Sequence, residues 1–153
     1  MIYAIAGNKG AGGTNLAQRL SKLFPGHTFT RLVYEDNGEE KPEEFLACDG
    51  VLIAVSLLEG PMPGTKAAVS DCRRAGKDII GFALTHLDDF DNQKKVPAHF
   101  KELVEIDARE LASVYGFTDD NIPACRLALV PGCDDELSAF FKRAEKYGTE
   151  IGG

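Results

Sequence analysis

A three-layer, doubly wound α/β fold around a mostly parallel sheet is what this sequence predicts. Three observations predict it. Short apolar runs alternate with amphipathic segments along the chain, which is the pattern of strands joined by crossover helices. The run Val51–Leu58 is almost continuously apolar, as a central parallel strand covered on both faces must be. A glycine-rich stretch, Gly7–Thr14, passes directly from the first apolar run into the first amphipathic segment.

Taken in order, Met1–Ala6 reads as a buried strand. From about Asn15, Leu16, Ala17, Leu20, Leu23 and Phe24 recur at helical spacing until Pro25-Gly26 ends the helix. Thr28–Tyr34 alternates and is rich in β-branched and aromatic residues, so it is expected as the second strand. Glu35–Pro42 is an acidic turn, Pro42–Cys48 a short helix, and Val51–Leu58 the third strand. After the turn Glu59–Gly64, Ala68, Val69, Cys72 and Ala75 mark a helix that Gly76 stops. Ile79–Thr85 is the fourth strand. A long helix is expected over Pro97–Tyr115, burying Phe100, Leu103, Val104, Leu111 and Tyr115, with Gly116 beyond it. Pro123–Val130 is the last strand. Asp134 and Asp135 then open a closing helix through Leu137, Phe140, Phe141, Ala144 and Tyr147, and Thr149–Gly153 is expected to fray.

Composition bounds the partners. The 153 residues suit one domain, 1–153, and 44% apolar residues suffice for a core. A formal charge of −7, with no block of the 17 Lys and Arg residues, excludes strong non-specific binding to nucleic acid or anionic lipid. Cys48, Cys72, Cys125 and Cys133 have no C-x-x-C spacing and no histidine cluster, and are expected as reduced thiols. Val51–Leu58 is much shorter than the about 20 residues that span a bilayer, and the first residues lack the plan of a secretory leader. A soluble cytoplasmic protein is expected.

In a doubly wound sheet, ligands bind beyond the carboxyl ends of the strands. Four turns should meet there: Gly7–Thr14, Glu35–Gly38, Thr85–Asp88 and Val130–Gly132. The first, G-N-K-G-A-G-G-T, has the spacing of the phosphate-binding pattern G-x-x-x-x-G-K-[ST]. In that pattern backbone N–H groups cradle phosphates, the lysine neutralises the terminal phosphate and the hydroxyl ligates magnesium. Gly7, Gly12 and Thr14 fit, but Gly13 stands where the lysine belongs. Three readings stay open: a working nucleotide site, a decayed one, or a glycine-rich strand-to-helix turn. Asn8, Lys9 and Gly10 complete the candidate phosphate loop. Lys9 either swings toward a phosphate or stays solvated.

Two further stretches carry a resemblance. Asp49–Thr65, D-G-V-L-I-A-V-S-L-L-E-G-P-M-P-G-T, resembles a strand and its D-G-P-M-P-Q-T turn in the GTP-binding domain of elongation factor Tu and related translational GTPases. Glu102–Phe117, E-L-V-E-I-D-A-R-E-L-A-S-V-Y-G-F, and Asp119–Arg126, D-D-N-I-P-A-C-R, are similar to the same family. The resemblance covers about half of the chain and implies the G-domain architecture of P-loop NTPases. It implies GTP or GDP with magnesium as cofactor, and Thr14 and Glu35 as metal ligands. The guanine-reading motif N-K-x-D falls on Thr85-His86-Leu87-Asp88, where only Asp88 is retained, and the S-A-L motif on Ala128-Leu129. The metal- and phosphate-sensing D-x-x-G falls on Glu35-Asp36-Asn37-Gly38, with no histidine after it. Only 20 residues separate Thr14 from Glu35, so the long switch I segment has no room.

These departures leave no catalytic residue to assign. The resemblance implies weak guanine-nucleotide binding with little or no hydrolysis; the alternative is a pseudo-GTPase scaffold, one domain of a longer translation factor. An unrelated α/β phosphate enzyme using Lys9 and Glu35 is the third reading. His27 and His99, in a turn and at a helix start, show no partners in sequence.

Overall fold

The computed structural model describes residues 1–93 and 96–152. Its strands are β1 (Ile2–Asn8), β2 (Thr28–Tyr34), β3 (Gly50–Ser56), β4 (Ile79–Thr85) and β5 (Ala124–Arg126). Its helices are α1 (Gly13–Leu23), α2 (Pro63–Arg74), the single turn α3 (Leu87–Asp91), α4 (Phe100–Val114) and α5 (Asp134–Gly152), with a 3₁₀ turn at Pro42–Phe45. The sheet runs β2-β1-β3-β4-β5, and every pairing is parallel. The doubly wound architecture is therefore as the alternation predicts, with the sheet wholly parallel. The turn between α1 and β2 is only Phe24–His27. Among the described residues no helix is long and apolar enough to cross a membrane.

All seven residues of β3 are buried, which explains its unbroken apolar sequence. One face of the sheet packs Leu16, Leu20, Phe140 and Phe141 from α1 and α5 against Ile5, Leu52 and Ala83. The other packs Ala68, Cys72, Val104 and Ala108 from α2 and α4 against Ile53, Val55 and Phe82. Burial pushes the thiol of Cys72 well above its ordinary range. The register of β4 slips beside Val51 and Leu52, where Gly81 lies opposite Leu52. A Cβ at Gly81 would stand 2.9 Å from the Phe140 ring, so this glycine lets α5 close onto the sheet.

Several boundaries differ from the sequence pattern, each for a physical reason. β1 continues through Asn8 because Gly7 still pairs with Ala54 and Asn8 with Tyr34; α1 accordingly begins at Gly13. β3 stops at Ser56, whose carbonyl accepts the amides of Glu59 and Gly60, and Leu58 is turned outward. The buried stripe of α4 is Val104, Ala108 and Ala112, while Phe100 and Leu103 are each 42% exposed. Small residues let that helix lie close to the sheet, and Phe100 and Leu103 are rotated away. β5 keeps only three residues: Leu127 bonds Leu84 through its amide but gives its carbonyl to Leu87, which takes the chain off the sheet edge. α3 has no counterpart in the sequence reading. Helix α5 runs on to Gly152 instead of fraying at Thr149, whose hydroxyl donates back to the Glu145 carbonyl.

One buried carboxylate fixes the segment after β2. Asp71 on α2 accepts the Tyr34 hydroxyl and the Lys41 amide, both at 2.7 Å on Oδ2. Among the described residues its Oδ1 has no hydrogen-bond partner. Burial, and then the bond to Asp71, drive the Tyr34 hydroxyl far above its ordinary range. Both ends of the Tyr34–Lys41 segment are thus tied to α2, which sets where Glu35 and Asp36 lie. Removing the hydroxyl by Tyr34→Phe leaves this carboxylate with one donor and should cost about 1–3 kcal/mol of stability, measured by urea denaturation.

Candidate functional site

The site is built at the carboxyl edge of the sheet, where β1 ends in a glycine-rich loop. A Cβ on Gly7 would lie 2.6 Å from the Ala54 carbonyl oxygen of β3, so only glycine allows the two backbones to approach there. Gly10 and Gly12 have φ of 86° and 81°, the left-handed region that favours glycine. Helix α1 then starts at Gly13 with Gly12 as its N-cap, no side-chain cap and no acidic residue in its first turn. By contrast, α2 is capped by the Thr65 hydroxyl, which accepts the Met62 amide at 3.0 Å. Among the described residues, the amides of Gly10, Gly12, Gly13, Thr14 and Asn15 donate no hydrogen bond. The positive end of the α1 dipole is therefore uncompensated by this chain.

The loop carbonyls, in contrast, are held. The buried Thr85 hydroxyl donates to the Ala11 carbonyl at 2.7 Å. His86 Nε2 lies 2.9 Å from the Gly10 carbonyl, and Nδ1 lies 3.2 Å from Asp89. To reach both partners His86 adopts a φ of 63°, a costly conformation for a residue with a Cβ. Asn8 is also committed: its Oδ1 accepts the Gly64 amide at 2.9 Å, and its Nδ2 donates to the Lys9 carbonyl and to Asp36. Asn15 donates to the Leu129 carbonyl at 2.9 Å. Three of the four turns expected at this edge, Gly7–Thr14, Glu35–Gly38 and Thr85–Asp88, are joined by these bonds, and Asn15 ties the start of α1 to Leu129 just before the fourth.

A cavity of about 620 Å³ opens over the loop, lined by Gly7, Asn8, Lys9, Gly10, Gly12, Gly13 and Thr14, and by Arg31, Glu35 and His86 among others. The seven candidate phosphate-loop residues thus share one cavity with Glu35 and His86. Asp88, half-buried, and Ala128 and Leu129 do not line it, and Leu129 packs into the core beneath α1 and α5. Thr85 lies behind the loop and is fully buried.

Arg31 is the cavity residue that motif reading passes over. It belongs to β2, whose alternation places Phe29, Arg31 and Val33 on one side and Leu32 and Tyr34 on the other. The signal was available: a charged residue on the strand face that packs against a helix. The Arg31 Nη1 donates to the Thr14 hydroxyl, while Lys9 Nζ stands 3.4 Å from Glu35 Oε2. Both residues assigned to magnesium therefore have a cationic side chain beside them. Among the described residues no group of three His, Cys, Asp or Glu could hold a metal.

No family model matches the sequence. The fold is similar to translation elongation factor SelB of Methanococcus maripaludis in its apo form, with a TM-score of 0.69 and 14% identity over 95% of this chain and 33% of that one. It is also similar to SelB of the same organism in complex with the GTP analogue GppNHp, with a TM-score of 0.67 and 14% identity over 95% of this chain and 34% of that one. The chain has the α/β fold of a translational GTPase domain. It spans about a third of the SelB chains, and at this identity the likeness is one of fold.

The Thr85 bond is the simplest part of the loop to test. Thr85→Val keeps the shape but leaves the buried Ala11 carbonyl unpaired; about 1–3 kcal/mol of stability should be lost. Hydrogen exchange of the loop amides should quicken more than that of the β3 amides.

Proposed function

We propose that this domain binds a guanine nucleotide weakly, through phosphates held at Gly7, Asn8, Lys9, Gly10, Gly12, Gly13 and Thr14, and hydrolyses it slowly or not at all. The observation that carries this reading is that, among the described residues, the amides of Gly10, Gly12, Gly13, Thr14 and Asn15 stand unpaired at the mouth of an open cavity. Backbone N–H groups at the start of a helix hold anions without needing a lysine. Thr85, His86, Asp88, Ala128 and Leu129 are the proposed base-side residues, with Asp88 accepting hydrogen bonds from guanine. Hydrolysis needs a positioned water and neutralised charge in the transition state, and neither the loop lysine nor the water-positioning histidine has a counterpart here.

The likeness to an elongation factor three times as long supports a role in translation beside further domains or a protein partner, in the cytoplasm. The acidic domain alone should not hold nucleic acid strongly.

A second reading is favoured by two observations. His86 is bonded to the loop itself, and Asp88 does not line the cavity, so the base side is not open in the way the phosphate side is. On that reading the domain is a pseudo-GTPase scaffold.

Calorimetric titration with GDP, GTP and ATP decides between them. Weak binding of GDP and GTP, with ATP weaker by about tenfold or more, is expected. Asp88→Ala should abolish that preference while leaving phosphate affinity unchanged. No heat with any nucleotide at millimolar concentration would leave the scaffold reading standing.

A further inference from the structure

We propose that the cavity holds its phosphates without magnesium, with the Arg31 guanidinium from β2 supplying the positive charge that a divalent ion and a loop lysine supply in the usual pattern. This rests on the reading of the cavity as a phosphate site and says what kind of phosphate complex it takes: the free polyanion.

Three features converge. At position 13 the loop has no side chain, and a Cβ built there would lie 3.8 Å from Arg31 Cγ. The aliphatic stem of Arg31 therefore borders the volume that a lysine at 13 would enter. Its guanidinium donates to the Thr14 hydroxyl, the oxygen that a metal would use. Among the described residues Arg31 meets no carboxylate, whereas Lys9 is paired with Glu35, Arg19 with Asp134 and Arg74 with Glu40. Its charge is left uncompensated beside the unpaired amides of Gly13 and Thr14. In a chain of net charge −7 this is a local basic spot beside the five amides that are free among the described residues.

The chemistry follows from the donor set. A guanidinium is planar, carries five N–H donors and remains charged at any working pH. One donor is spent on Thr14, and the others are available to phosphate oxygens, which it matches better than an ammonium does. A divalent ion entering beside Thr14 would have to displace or repel this cation. Magnesium bound to the nucleotide would also cancel charge that Arg31 and the α1 dipole attract. Free GDP or pyrophosphate should therefore bind at least as well as the magnesium complexes.

The test is calorimetry on the full chain with GDP and with pyrophosphate, each in excess magnesium and in excess EDTA, for the native protein, Arg31→Gln and Arg31→Lys. Equal or tighter binding in EDTA is expected. Arg31→Gln should weaken both probes about tenfold, the worth of one charge-assisted hydrogen bond, and Arg31→Lys by less. Thermal midpoints of the variants establish that the exposed position leaves folding intact. Binding that requires magnesium, or that Arg31→Gln leaves unchanged in EDTA, overturns the inference while the nucleotide reading survives. Pyrophosphate binding in EDTA without any GDP preference supports it and overturns the guanine reading. Silence of both probes in both buffers overturns both.

Discussion

The site depends on a division within one loop: its carbonyls are tied to the protein, while among the described residues the amides of Gly10, Gly12, Gly13, Thr14 and Asn15 are not. Thr85 and His86, at the end of β4, take the carbonyls of Ala11 and Gly10. With those oxygens held on one side, the chain turns into α1 through two left-handed glycines, and the first N–H groups of the helix emerge without partners. Five unpaired donors at the start of a helix would be a defect in a core. At a cavity edge they form a surface suited to an anion.

That division rests on close backbone approach lower in the sheet. Gly7 can meet the Ala54 carbonyl only because it lacks a Cβ, and this contact sets where the loop leaves β1. Asn8 then reads the position of α2 through the Gly64 amide and that of the post-β2 turn through Asp36. Asp71 locks the same turn from the opposite side, by way of Tyr34 and Lys41. The cavity wall that carries Glu35 is therefore held by buried polar bonds, although Glu35 itself is exposed.

Much of this was legible in the chain. β2 and β4 coincide with the expected runs Thr28–Tyr34 and Ile79–Thr85, because strands buried or half-buried in a parallel sheet leave strong apolar patterns. The face of helix α4 was read correctly at Val104 and Tyr115 but not at Phe100 and Leu103, since periodicity counts large apolar residues, whereas Ala108 and Ala112 are buried because they are small. β5 was read too long, because nothing in Pro123–Val130 records that the Leu127 carbonyl would leave the sheet for Leu87. The loop residues were found by spacing, and Arg31 was not. Its role depends on which face of β2 meets α1, a relation between elements that lie apart in the chain.

By itself the sequence determined the parallel sheet, the glycine loop at its carboxyl edge and the absence of a lysine at position 13. These are local properties, set by apolar periodicity and by the backbone freedom of glycine. Only the tertiary structure decided which cations stand at the loop and what they touch. Arg31 lies 17 residues from Thr14 in sequence and meets it because β2 pairs in register beside β1, so that the charge on Thr14 comes from the neighbouring strand.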